Sequence, residues 1–241
     1  MRMLTLELYK ERRTGAVLVL PAAGILGAGY AFANFAVRKD ALLSLPLEPM
    51  DILLTQLYGV IVILNLFALV AAACILYHLE FKGNAVKKLY LLPVQVSHMY
   101  LCKFFLLAAG LFLAVALQSL ALAGIGSRAL PHGDFQLEIL LRFALYSYLT
   151  SLPVLSVMLL LASRSTSMWV PLGIGVAGFL SAMALATTDV PVLLLHPFVL
   201  ILKPAVAMSS QPNGLVAALA LLETLLFLSA GVWIANHLRY E

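Results

Sequence analysis

The sequence predicts an all-α integral membrane protein. The prediction comprises six transmembrane helices, an amphipathic interfacial helix at the N-terminus, a short helix in one cytoplasmic loop, and short outer re-entrant helices between spans five and six. Three observations carry it. Hydrophobic residues make up 63% of the 241-residue chain, and the mean hydropathy is +1.03. Charged residues are 11%, against roughly 25% in a soluble domain. Apolar runs of the about 20 residues that a helix needs to cross the hydrocarbon layer recur along the chain. No polar linker is long enough to separate two folding units, so residues 1–241 are read as one membrane domain.

Met1–Arg13 comes first. Met3, Leu4, Leu6 and Leu8 are interspersed with Glu7, Lys10, Glu11, Arg12 and Arg13. Such a segment can lie in the interface as a short helix, either as a docking surface or as a simple topogenic anchor. The six runs follow at Thr14–Val37, Asp51–Tyr77, Leu101–Gly126, Glu138–Leu161, Met168–Thr187 and Asn213–Ala235. Basic residues before the first run and Ala31-Phe32-Ala33 within it resemble a secretory signal. The run is nevertheless long enough to span, so it is read as the first span.

Lys and Arg set the orientation. With the N-terminus in the cytoplasm, Arg38, Lys39, Arg128, Arg142 and Lys203 fall outside, and the other ten of the 15 basic residues fall inside. That bias is the direction the positive-inside rule expects, and six spans return the C-terminus to the cytoplasm. The net charge of +4 reflects this anchoring. Nucleic acid is not an expected partner, because the basic residues are strung along membrane edges and form no patch.

Between the second and third spans stands HLEFKGNAVKKLYLLPVQVSHMYLCK, His78 to Lys103. Val86, Leu89 and Tyr90 recur at helical spacing, with Lys87 and Lys88 on another face. Gly83-Asn84 offers a turn and an N-cap, and Pro93 ends the helix. On residues alone this is either a lever joining two spans or an ordinary basic loop.

Enzyme chemistry finds little footing. His78, His98 and His237 fall at the cytoplasmic edge, and His132 and His196 in outer segments. Gly-x-Ser-Gly and His-Glu-x-x-His are absent, and so is the phosphate-cradling Gly-x-x-x-x-Gly-Lys-Ser/Thr. Gly173-x-Gly175-x-x-Gly178 imitates a dinucleotide fingerprint but lies in an apolar span with no strand before it. Close helix packing is its better reading, with Gly175-x-x-Gly178 and the stretch Gly24 to Ala28 as candidates. Cys74 and Cys102 have no partner at metal-site spacing and read as small core residues. No metal is expected.

Glu80, Lys82, Asn84, Lys87 and Leu89, then Leu92-Pro93-Val94, then Tyr100 and Lys103-Phe104, resemble the cytoplasmic loop of type-2 ABC exporter permeases. The closest likeness is to permease subunits of lantibiotic self-immunity and bacteriocin resistance. The sequence departs from that pattern at Val94-Gln95-Val96-Ser97, where the family has Ser or Thr and a basic residue directly after the Pro-Val/Ile step. The resemblance implies a permease without cofactor of its own, in a bacterial plasma membrane. Two copies of an ABC ATPase would bind the ATP and Mg, and a second six-span permease, identical or homologous, would complete the pore. It implies an ATPase-coupling helix carrying Glu80, Lys82, Asn84, Lys87, Lys88, Leu89, Tyr90 and Pro93. The implied cargo is an amphipathic peptide antibiotic; a drug or lipid-like cargo, or a non-transporting scaffold or sensor subunit, are the alternatives.

Two further features stand out. Asn65, Gln118 and Glu223 are polar side chains well inside spans, where a carboxylate costs a few kcal/mol. A structural, protonated Glu223 should tolerate glutamine, whereas leucine should weaken assembly by leaving hydrogen-bond partners unpaired. The segment DVPVLLLHPFVLILKPAVAMSSQPNG is broken by Pro191, Pro197, Pro204 and Pro212. It is too interrupted for one straight helix and too apolar for a free loop, so short pieces buried against protein fit best. The resemblance makes this segment, with Pro191, His196, Pro197, Lys203 and Pro204, an outer gate.

Overall fold

A computed structural model describes residues 15–81, 96–130, 134–188 and 190–237. The expected interfacial helix at Met1–Arg13 lies outside them, as does the expected loop helix at 82–95. The first helix, α1, runs Ala16–Leu43. A turn at Pro49–Asp51 and a π-helical stretch at Ile52–Gln56 lead into α2, Tyr58–Phe81. Helix α3 is Val96–Ala129, α4 is Leu137–Arg164 and α5 is Trp169–Leu185. A 3₁₀ turn at Pro191–Leu195 precedes the short α6, Pro197–Val206, and α7 is Gly214–His237.

Among the described residues, five helices are long and apolar enough to cross a membrane: Ala16–Leu42, Pro49–Leu79, Val96–Ala129, Leu137–Arg164 and Gly214–His237. The fifth expected span differs. It forms α5, of 17 residues, about 26 Å at 1.5 Å per residue, against a hydrocarbon layer of about 30 Å. Local chemistry shortens it. Thr188 turns its hydroxyl and its N–H onto the Leu185 carbonyl, at 2.6 and 3.1 Å, which closes the last turn early.

Small residues set the tightest contacts, as lipid offers no hydrophobic drive between helices. A Cβ on Gly24 would lie 2.7 Å from the Ala114 Cα, so α1 and α3 touch backbone to backbone there. One on Gly175 would lie 2.6 Å from Val70, and one on Gly178 2.7 Å from Phe198. On α1 the second close approach is Gly27, which faces Gln118; Ala28 is only half-buried.

Helix α6 is closely enclosed along its central turn. Phe198, Val199, Leu200, Ile201 and Leu202 are all 5% exposed or less. Five consecutive residues cover more than a full turn of 3.6, so no face of this turn is open. Its neighbours are α2, α4, α5, α7, the π-helical stretch and the 3₁₀ turn. Pro197 opens the helix, where its missing N–H costs nothing, and Pro204 stands in its last turn. At the same end of the bundle the connections gather. The Asp51 Oδ1 accepts the Ser210 N–H at 2.7 Å, and a cavity of about 210 Å³ there is lined by Glu48, Asp51, Asp134 and Gln136 among others.

Candidate functional site

The polar residues inside the bundle divide into three groups. Asn65 on α2 and Gln118 on α3 meet directly. The Asn65 Nδ2 donates to the Gln118 Oε1 at 2.9 Å, and the Gln118 Nε2 donates back to the Asn65 Oδ1 at 2.8 Å. Both side chains are at most 1% exposed. The same Gln118 nitrogen lies 3.4 Å from the Ala23 carbonyl of α1. A Cβ on Gly27 would come within 2.7 Å of it, so glycine there makes room for the amide. The node thus ties three helices in one register. Replacing Asn65 alone with leucine strands the Gln118 amide, at a cost of about 1–2 kcal/mol. Replacing both residues with leucine should recover most of that loss, read as detergent or thermal stability in a double-mutant cycle.

Glu223 stands apart from this node. It lies on the buried stripe of α7 with Val216, Ala220, Thr224 and Gly231, and is 5% exposed. Neither carboxyl oxygen has a hydrogen-bond partner among the described residues. The expectation that leucine here would strand partners therefore lacks its basis, because the described neighbours supply none. Helix α7 packs mainly on α4 and also on α3. On α4 the buried hydroxyls of Ser147, Thr150, Ser151 and Ser156 all donate to carbonyls of their own helix.

The third group is the short-helix cap. Pro191 opens the 3₁₀ turn, and His196 is the residue before α6. The His196 Nε2 lies 3.2 Å from the Ser181 Oγ of α5, and its ring meets Phe198 edge-on at 5.8 Å. Burial pushes the imidazole below its ordinary range, and a backbone hydrogen bond partly offsets this. The Lys203 ammonium donates to the Ala186 carbonyl at 2.9 Å, capping the C-terminus of α5. His196 and Lys203 thus tie α6 to α5, and Pro204 is buried in α6. The expectation of a segment buried against protein holds for α6 but not for the 3₁₀ turn, where Pro191 is exposed and no residue is buried.

Of the expected coupling residues, Lys82, Asn84, Lys87, Lys88, Leu89, Tyr90 and Pro93 lie outside the described residues, as does the side chain of Glu80. The helix ends that frame them are clear. Tyr77 near the end of α2 and Lys103 in the second turn of α3 stand together, with the ammonium 5.5 Å from the ring centroid, within cation–π range. Lys103 is 1% exposed. The basic-residue count places it only on the cytoplasmic side, which leaves its burial open. Its position between Cys102 and Phe104, inside an apolar run, was the signal that it is buried.

These features define a multi-pass helical membrane protein in which one buried amide pair joins three helices. Residues 3–182 match the sequence model of the ABC-2 family transporter proteins, and the chain belongs to that family. Curated proteins and solved structures gave no match. Membership makes the chain a membrane permease subunit of an ABC transporter, associated with a separate ABC ATPase.

Proposed function

We propose that this chain is one half of an ATP-driven exporter that expels amphipathic peptide antibiotics, as in lantibiotic self-immunity or resistance. The observation that carries the reading is the Glu80-x-Lys82-x-Asn84-x-x-Lys87-x-Leu89-x-x-Leu92-Pro93 pattern within a chain of the ABC-2 family. In this reading residues 80–93 form the coupling helix that takes up motion from the ATPase. Two ATPase copies bind ATP and Mg, and a second six-span permease completes the transporter. Helix α5 makes the fifth crossing, and the 3₁₀ turn with α6 forms a re-entrant outer gate. The termini face the cytoplasm of a bacterial cell. The enclosure of α6 supports the gate, and the bias of Lys and Arg supports the orientation.

Two measurements test this. Cells expressing the chain with its ATPase and partner permease should survive an amphipathic peptide that kills cells carrying an ATPase defective in hydrolysis. Equal killing of both would reject the peptide cargo. For the gate, a cysteine at Leu200, which is fully buried, should react with an impermeant thiol reagent at least tenfold more slowly than one at exposed Lys39. Equal rates would mean an open loop in place of the gate.

A further inference from the structure

The connection from α5 to α7 folds back on itself around a cavity of about 520 Å³, within the range of 300–1,000 Å³ typical of ligand sites. Its lining divides by chemistry. Thr187, Thr188, Asn213 and the Lys203 ammonium supply polar groups. Val190, Pro191, Leu194, Val206 and Val216 supply apolar ones. Lys203 is the one charged side chain among the described lining residues. An ammonium has three donors. One reaches the Ala186 carbonyl at 2.9 Å, and no other partner is given by the described residues. A cation that caps a helix on one side and borders a half-apolar cavity on the other suits a ligand with an anionic head and a hydrocarbon body.

We propose that this cavity binds an anionic amphiphile of the bilayer, a phospholipid headgroup with the upper part of its chains, through Lys203. The phosphate would take the free ammonium donors and the Asn213 amide or the Thr187 hydroxyl, while Leu194 and Val216 border the glycerol and first methylenes. Such a lipid would brace the turn and α6 against α7. The site does not depend on the exporter reading, since lipid binding is measured without transport or ATP turnover.

The test uses the purified full-length permease, with any partner subunits that copurify, equilibrated with phosphatidylglycerol and phosphatidylcholine in equal amounts and read by native mass spectrometry. Retention should favour phosphatidylglycerol by about tenfold, the scale of one charge-assisted hydrogen bond. Lys203→Gln should remove that preference and Lys203→Arg should keep most of it. Leu194→Trp, which fills the cavity and leaves the ammonium in place, should reduce retention of both lipids. This variant decides the matter if Lys203→Gln does not fold. An unchanged preference in a folded Lys203→Gln protein would overturn the proposal, as would full retention in Leu194→Trp. Displacement of the lipid by inorganic phosphate at the same concentration would also overturn it, because the site would then hold a free anion and not an amphiphile.

Discussion

Replacing Leu89 and Tyr90 with aspartate should abolish cargo-stimulated ATP turnover while leaving the permease in the membrane. The two residues share the apolar side of the expected coupling helix with Val86, and Lys87 and Lys88 take another side. An apolar stripe of this kind docks in a groove by burying two side chains, each contributing roughly 1.5–3 kcal/mol. Two carboxylates in the same groove would forfeit that gain and add desolvation costs. The combined loss, about 4 kcal/mol or more by the same area arithmetic, corresponds to a fall in docking constant of around a thousandfold. Membrane insertion is decided by the apolar runs on either side and should be unaffected. Purified complexes assayed for ATP hydrolysis with and without peptide check this. Wild-type stimulation in the double variant would remove the coupling role from this helix.

The second large effect is expected at Glu223. Leucine there should raise the thermal stability of the assembled permease by about 1–3 kcal/mol, the usual cost of a buried polar group without a partner. The carboxyl group is 5% exposed, both its oxygens lack a partner among the described residues, and it sits midway along α7. Replacing an uncompensated buried polar group with a well-packed apolar one of similar volume is commonly neutral or stabilising. Glutamine should preserve assembly and peptide resistance alike. Thermal unfolding in detergent and survival under peptide separate the outcomes. A leucine variant that fails to assemble would show that Glu223 holds a partner. A glutamine variant that assembles but loses resistance would show that the charge meets a cationic group during transport.

The last three apolar runs match α4, α5 and α7 to within three residues at each end, because hydropathy over a membrane-length window has few alternative readings. Helix α1, in contrast, ends six residues later than expected, α2 begins seven later and α3 five earlier. The errors fell where short-range chemistry decides. Arg38, Lys39 and Asp40 look like the end of a helix by hydropathy, yet α1 runs through them to Leu43, because charged residues at a membrane edge are compatible with helix. The early end of α5 depended on hydroxyls folding onto their own backbone at Thr188, which no hydropathy window registers. Asn65 and Gln118 were recognisable as polar residues at depth, but not as partners of one another. They are separated by 53 residues, and only the crossing of α1 with α3 at Gly24 and Gly27 brings the third helix to the pair. The burial of Lys103 was less legible for a related reason: charge at a helix end usually snorkels to water, and here the ammonium stands over the Tyr77 ring.

The enclosure of α6 bears on how the chain is built. A helix of 10 residues containing two prolines is too short to be stable alone in water and too short to be inserted as a span. Every face of its central turn is covered, by α2, α4, α5, α7, the π-helical stretch and the 3₁₀ turn, and of these only α7 follows it in the chain. Most of what covers α6 comes from elements that precede it in the chain, so α2, α4 and α5 can shelter the apolar run Phe198–Leu202 as soon as it is made. Helix α7 then closes the remaining side. The short helix is therefore held in place chiefly by the helices already inserted before it.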